Sequence, residues 1–276
     1  MALIQVNFIS NCLQRTVPIQ VILPVDKLGP DRTLAAPKTF KTLYLLHGFL
    51  GNYTDWVSGT RLQRWAEERD LAVVMPSGDN AFYVDRPGNL YGQFIGQELV
   101  EITRRMFPLS HKREDTFLGG LSMGGFGALR NGLKYHDTFG AVVSLSGALR
   151  VFDGVEERIA AGEDFAFEST LFGPVRQAMA SDKNPEILMK QLAEEKKKDP
   201  QLALPEIYIA CGTEDGLLPS NRLCRKQLEE LGFCVTYEEA PGGHEWDFWD
   251  SQIHKVLQWL PLAKASQGLN SGNVGK

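Results

Sequence analysis

Cysteine is scarce and unpaired in this chain. Cys12, Cys211, Cys224 and Cys234 show no C-x-x-C and no matched spacing, so neither a disulfide framework nor a thiolate metal site is expected. Reduced thiols of this kind suit a cytoplasmic protein. Long apolar runs are missing too, and none approaches the roughly twenty residues that a bilayer-crossing helix needs. The N-terminus lacks a basic segment followed by an unbroken apolar stretch. Met1 to Ile9 alternates like a strand instead, so no signal peptide is expected. Charge of one sign is also in short supply. Lys and Arg number 29 against 34 Asp and Glu, a formal net charge of -5, and no dominant basic field exists to meet nucleic acid. The one cationic run, Lys196 to Lys198, follows Glu194 and Glu195 and reads as a solvated helix end. Internal repeats are absent. At 276 residues and 43% hydrophobic, the chain is expected to form one large globular domain over 1–266.

What the chain does have is glycine around one serine. Leu118 to Gly125 reads LGGLSMGG, and Gly120-Leu121-Ser122-Met123-Gly124 fits G-x-S-x-G, in which a serine sits on a strained strand-to-helix turn. The pentapeptide alone is a weak signal, so its flanks must carry the argument. Asp115 to Gly119 reads as a short apolar strand. Met123 to Tyr135 spaces Phe126, Leu129 and Leu133 as one face of a helix.

A serine hydroxyl needs a histidine to take its proton and an acid to orient that histidine. Both partners are expected downstream, acid first. Of the three histidines after Ser122, His136 ends the nucleophile helix and His254 lies inside a late helix, Phe248 to Leu260. His244 remains, in the turn-rich run Ala240 to Trp246. Leu204 to Cys211 reads as a buried strand whose carboxyl end carries Glu214 and Asp215, and ligand-handling groups collect at such ends. Either could be the acid.

The other elements alternate. Ala2 to Ile9 and Val17 to Leu23 read as an edge hairpin, and Lys41 to Leu46, Leu71 to Met75 and Ala141 to Ser146 as buried strands. Helices are expected over Leu62 to Glu68 and from about Gln93 to Met106. The fold class expected is α/β, with a mostly parallel central sheet, helices on both faces and a small cap insertion. That cap is the excursion 148–204, with an amphipathic helix from Glu186 to Lys198. Residues 267–276, rich in Gly, Ser and Asn, are expected to form a disordered tail. After Leu46 comes His47-Gly48-Phe49-Leu50. Acyl transfer needs two backbone N–H groups on the oxyanion, one from Met123 and one from this turn, with Phe49 preferred and Leu50 the alternative. His47 itself is expected to bond to backbone. Leu50, Trp56, Tyr83 and Trp246 are the candidate pocket walls.

Five blocks in order, LYLLHGFLGNYTDW (Leu43 to Trp56), VVMPSG (Val73 to Gly78), FLGGLSMGGFGAL (Phe117 to Leu129), CGTEDGL (Cys211 to Leu217) and GGHEWDFW (Gly242 to Trp249), resemble the esterase D family of α/β-hydrolases. The resemblance implies that fold and a Ser122, Asp215 and His244 triad, with Asp215 chosen over Glu214. It also implies an oxyanion hole at Phe49 and Met123, and hydrolysis of short-chain acyl esters through an acyl-enzyme. Relatives include S-formylglutathione hydrolases, feruloyl and acetyl-xylan-type esterases and acyltransferases with the same triad. The tributyrin and acetyl esterase branch looks nearest, because Gly48 to Gly51 departs from the Gly-Leu-Thr-Cys usual in the formylglutathione branch. The implied partner is a small-molecule ester, with no metal or organic cofactor, no nucleic acid and no membrane. Monomer and homo-oligomer are both compatible with the sequence.

Overall fold

Apolar residues on both faces of the central strands require a layer of helices on each side, and the folded chain supplies both. The computed structural model describes residues 1–265, 268–270 and 272–274. Its main sheet runs in the order β1 (Ala2–Ser10), β2 (Arg15–Leu23), β4 (Leu71–Pro76), β3 (Lys41–Leu46), β7 (Thr116–Leu121), β8 (Ala141–Leu145), β9 (Glu206–Gly212) and β10 (Val235–Ala240). A two-residue hairpin, β5 (Asp85–Arg86) with β6 (Asn89–Leu90), stands apart from it. β2 lies antiparallel between β1 and β4, and every pair from β4 to β10 is parallel. The expected edge hairpin and parallel core are therefore present.

Side chains of period two sort each strand between two cores. Leu43 and Leu45 of β3 join Phe117 of β7 on one face. That face is covered by α1 (Asp55–Gly59), α2 (Leu62–Glu67) and α11 (Trp246–Trp259). Tyr44, Leu46 and Leu118 point to the other. There the cover comes from α3 (Tyr91–Gln93), which continues through a π-spaced turn into α4 (Leu99–Met106), and from α5 (Met123–Lys134) and α10 (Leu218–Glu230). Each fully buried Leu or Phe contributes about 1.5–3 kcal/mol, so the two layers hold the strand ends rigidly.

The excursion 148–204 divides in two. Its last helix, α9 (Pro185–Lys198), starts at Asn184, whose side chain caps the Glu186 N–H, and buries Leu188, Met189, Leu192 and Ala193 in the α5-side core. Before it, α6 (Val155–Ala160), α7 (Ala166–Phe172) and α8 (Val175–Met179) enclose a separate apolar cluster with Val84 and Phe126. Of the expected tail, residues 267, 271, 275 and 276 lie outside the described residues. Leu269 bonds its N–H to the Leu28 carbonyl at 3.0 Å.

Strand order fixes where a site can form. From β3 the chain moves outward to β4, and later returns to place β7 on the opposite side of β3. Strand order reverses there, and the crevice beyond the carboxyl ends of β3 and β7 is where ligands bind in open α/β sheets. The turn after Leu46 and the serine after Leu121 thus become neighbours.

Candidate active site

Ser122 occupies the one-residue joint between β7 and α5 with φ 52° and ψ -117°. This left-handed geometry is costly for a residue with a Cβ, on the order of 1–3 kcal/mol. The glycines around it are sterically required. A Cβ on Gly120 would lie 2.4 Å from the Gly124 backbone, and one on Gly124 would lie 2.4 Å from the Leu46 carbonyl oxygen and 2.6 Å from that of His47. Close approach of α5 to the end of β3 is what these positions permit. The same crowding brings Gly48 beside Ser122, where an added Cβ would sit 3.5 Å from the Ser122 Cβ.

The turn after β3 is held from behind. His47 is fully buried. Its Nδ1 donates to the Gly48 carbonyl at 2.6 Å and its Nε2 accepts from the Gly78 N–H at 2.8 Å. One nitrogen must carry a proton and the other must not, so the ring is neutral, and burial pushes its pKa below the usual histidine value. His47 thus bonds to backbone, as its position after the strand implied. Ser77 accepts from the Tyr53 N–H at 3.2 Å, and Asn80 accepts from the Leu50 N–H at 2.8 Å. Leu50, at φ 66°, therefore has its amide occupied. The Phe49 amide has no acceptor among the described residues. Met123 is the first residue of α5, where helix N–H groups lack intrahelical acceptors and the dipole favours negative charge.

Across the cleft, His244 Nδ1 lies 2.9 Å from Asp215 Oδ2, while Oδ1 of Asp215 accepts from the Leu217 N–H at 2.9 Å. The Asp215 side chain is 1% exposed and that of His244 is 39% exposed, so the acid is enclosed and the imidazole reaches the opening. Glu214 turns away, accepting from the Gly242 N–H and from Thr213. Trp249 stands edge-on to His244 with ring centroids 5.0 Å apart, and its Nε1 donates to Ser146 at 3.2 Å.

Ser122 and His244 line one open cleft of about 670 Å³, together with Phe49, Leu50, Trp246 and Trp249. Of the four candidate wall residues, Leu50 and Trp246 border this cleft, and Trp56 and Tyr83 do not. Trp56 is 1% exposed, donates Nε1 to the Leu46 carbonyl and packs edge-on behind Trp246. Tyr83 is fully buried and donates its hydroxyl to the His47 carbonyl at 3.0 Å. Both indole and phenol find their partners in backbone carbonyls inside the fold, which is why these aromatics pack behind the wall. Asp55, Trp249 and Glu245 line the cleft without having been singled out. Trp249 could have been found, since it lies three residues after Trp246 and so shares its helix face.

No residue of 148–204 lines this cleft. Phe167 of α7 comes nearest, meeting the Phe49 ring edge-on at 6.4 Å. A second cavity, about 600 Å³, is bordered by Arg61, Arg64 and Glu67, and no histidine is among the described residues that line it. Among the described residues no group of three or more His, Cys, Asp or Glu could hold a metal ion. No helix among them is long and apolar enough to cross a membrane. The four cysteines are unbonded, and burial pushes the Cys211 and Cys224 thiols up to about 12.

The chain is similar to known esterases and serine hydrolases. Residues 10–260 match the family model described as Esterase. An acetyl esterase of Caldicellulosiruptor saccharolyticus is 41% identical over 268 residues, covering 94% of this chain and 98% of the relative. Two solved structures from Staphylococcus aureus, each 30% identical, cover 94% of this chain and 98% of their own. One is the fluorophosphonate-binding serine hydrolase FphF, at a TM-score of 0.80, and the other the S-formylglutathione hydrolase FrmB, at 0.78.

Proposed function

The chain belongs to the Esterase family and is a carboxylester hydrolase of the serine-hydrolase type, and from that premise we propose that it cleaves short-chain acyl esters through an acyl-enzyme on Ser122. The observation that carries this reading is the pairing of a serine at φ 52° on a strand-to-helix joint with a histidine in the same cleft, itself bonded to an enclosed aspartate. The acetyl esterase relative supports a short acyl group.

In this mechanism Ser122 Oγ attacks the ester carbonyl while Nε2 of His244 takes its proton. Asp215 holds the Nδ1–H tautomer and stabilises the imidazolium. The amides of Phe49 and Met123 receive the oxyanion, a term worth about 10²–10³ in rate for each donor. His244 then protonates the departing alcohol, and water, deprotonated by the same histidine, releases the acid. A panel of p-nitrophenyl esters from acetate to laurate tests it. Turnover greatest on the short esters and abolished in Ser122→Ala is expected, and substantial turnover remaining in that variant would defeat the assignment.

A further inference from the structure

The charged groups lining the cleft are all acidic, apart from the imidazole of His244. Asp55 and Glu245 line it, and among the described residues no Lys or Arg does. Among the described residues neither carboxylate forms an ion pair. Asp55 is seated against the turn that carries Phe49. A Cβ on Gly51 would fall 2.1 Å from Asp55 Oδ2 and 3.0 Å from His47 Nδ1, so only glycine at 51 admits the carboxylate there. His47 offers no compensating charge, because its two nitrogens are taken by a carbonyl and an N–H. Glu245 follows His244 on the other side of the opening, and its Oε1 accepts from the Gly243 N–H at 3.0 Å. Negative charge therefore enters from both banks of the cleft, while the remaining walls, Phe49, Leu50, Trp246 and Trp249, are apolar.

A developing oxyanion is not penalised by this arrangement, since it would sit in direct contact with two N–H donors. A fixed anion elsewhere on the substrate has no such donors and feels both carboxylates, half-buried Asp55 and exposed Glu245, across the open cleft. Resting on the esterase reading above, we propose that the cleft discriminates against substrates with a fixed negative charge on the acyl or leaving group. Its preferred substrates are then uncharged acyl esters of neutral alcohols, and thioesters of anionic thiols are disfavoured.

Two thioesters of one shape test this with the intact chain: the S-acetyl derivatives of 3-mercaptopropionamide and of 3-mercaptopropionate, followed by thiol release. The amide is expected to exceed the carboxylate in kcat/KM by roughly tenfold. The ratio should shrink several-fold in Asp55→Asn and Glu245→Gln, and also in about 0.5 M salt, where the Debye length falls to a few ångströms. Because the readout is a ratio, a general loss of activity in a variant does not move it. Equal rates on the two substrates, faster release from the carboxylate, or a preference unchanged by both substitutions would overturn the proposal. Release from the amide that persists in Ser122→Ala, or no release from either substrate, would instead count against the esterase mechanism.

Discussion

The N–H of Leu50 donates to Oδ1 of Asn80 at 2.8 Å, and this one bond separates the two amides that could have served the oxyanion. With the Leu50 N–H committed, the Phe49 N–H is the one left without an acceptor among the described residues. The segment 77–83 works as a brace. Ser77, Gly78, Asn80 and Tyr83 each bond to the 47–53 turn. Asn80→Ala should release Leu50 and lower kcat about tenfold with a smaller change in KM, because a misaimed donor weakens the transition state more than the ground state. Asn80→Asp keeps the acceptor oxygen and should recover most of the loss. Steady-state kinetics on p-nitrophenyl acetate would read the split, and equal kcat in wild type and Asn80→Ala would refute the brace.

Asp215 and Glu214 are adjacent in sequence but do different things. Asp215→Asn removes the carboxylate that meets His244 Nδ1, which the proposed mechanism uses to fix the tautomer, and a fall in kcat on the order of 10⁴ is expected. Glu214→Gln leaves the His244 contact intact and loosens only the Gly242 and Thr213 bonds, so activity should stay within a few-fold. Rates for the two variants in parallel check this, and the reverse order would transfer the acid to Glu214.

Steric demand around the serine joint can be tested against a nearby control. Gly124→Ala would push a Cβ into the Leu46 and His47 carbonyls, costing about 1–3 kcal/mol and displacing Met123. Gly216→Ala meets nothing within 4 Å and should be neutral within about 0.5 kcal/mol. Urea unfolding of both variants would show whether the glycine at 124 is a packing requirement.

Burial lowers the pKa of His47 in the folded state, which gives its contribution a definite sign. Below the unfolded histidine value of about 6.5, the unfolded chain binds a proton that folded His47 resists. Stability from this group is complete above that pH and is lost as pH falls through the window down to the depressed folded value. Urea midpoints measured between pH 7.5 and pH 5.5 should therefore fall more steeply for the wild type than for His47→Asn. Identical pH profiles would show that His47 is not held neutral.

Much of this was legible in the chain because the strongest signals are local. The G-x-S-x-G joint, the near-continuous apolar strands and the position of His244 need only spacing and strand-end logic, whereas the preference for Asp215 over Glu214 comes from the family resemblance. The walls were less legible. Trp56 and Tyr83 looked like rim residues from their position near strand ends, yet whether an aromatic faces solvent depends on where its N–H or O–H finds a carbonyl, here Leu46 and His47. Phe49 is preferred over Leu50 from the sequence, but the bond that engages the Leu50 N–H comes from a partner thirty residues away, Asn80, which no local pattern announces. Residues 148–204 read as one cap, but the apolar face of α9 belongs to the α5 core, and a sequence does not say which of two cores an amphipathic face will join.

An acyl-enzyme on Ser122 can be trapped by brief mixing with a slowly turned-over p-nitrophenyl ester and read by intact-protein mass spectrometry and peptide mapping. One acyl adduct is expected, located on the peptide that contains Ser122 and absent from Ser122→Ala. An adduct on another residue, or the same adduct in Ser122→Ala, would contradict it.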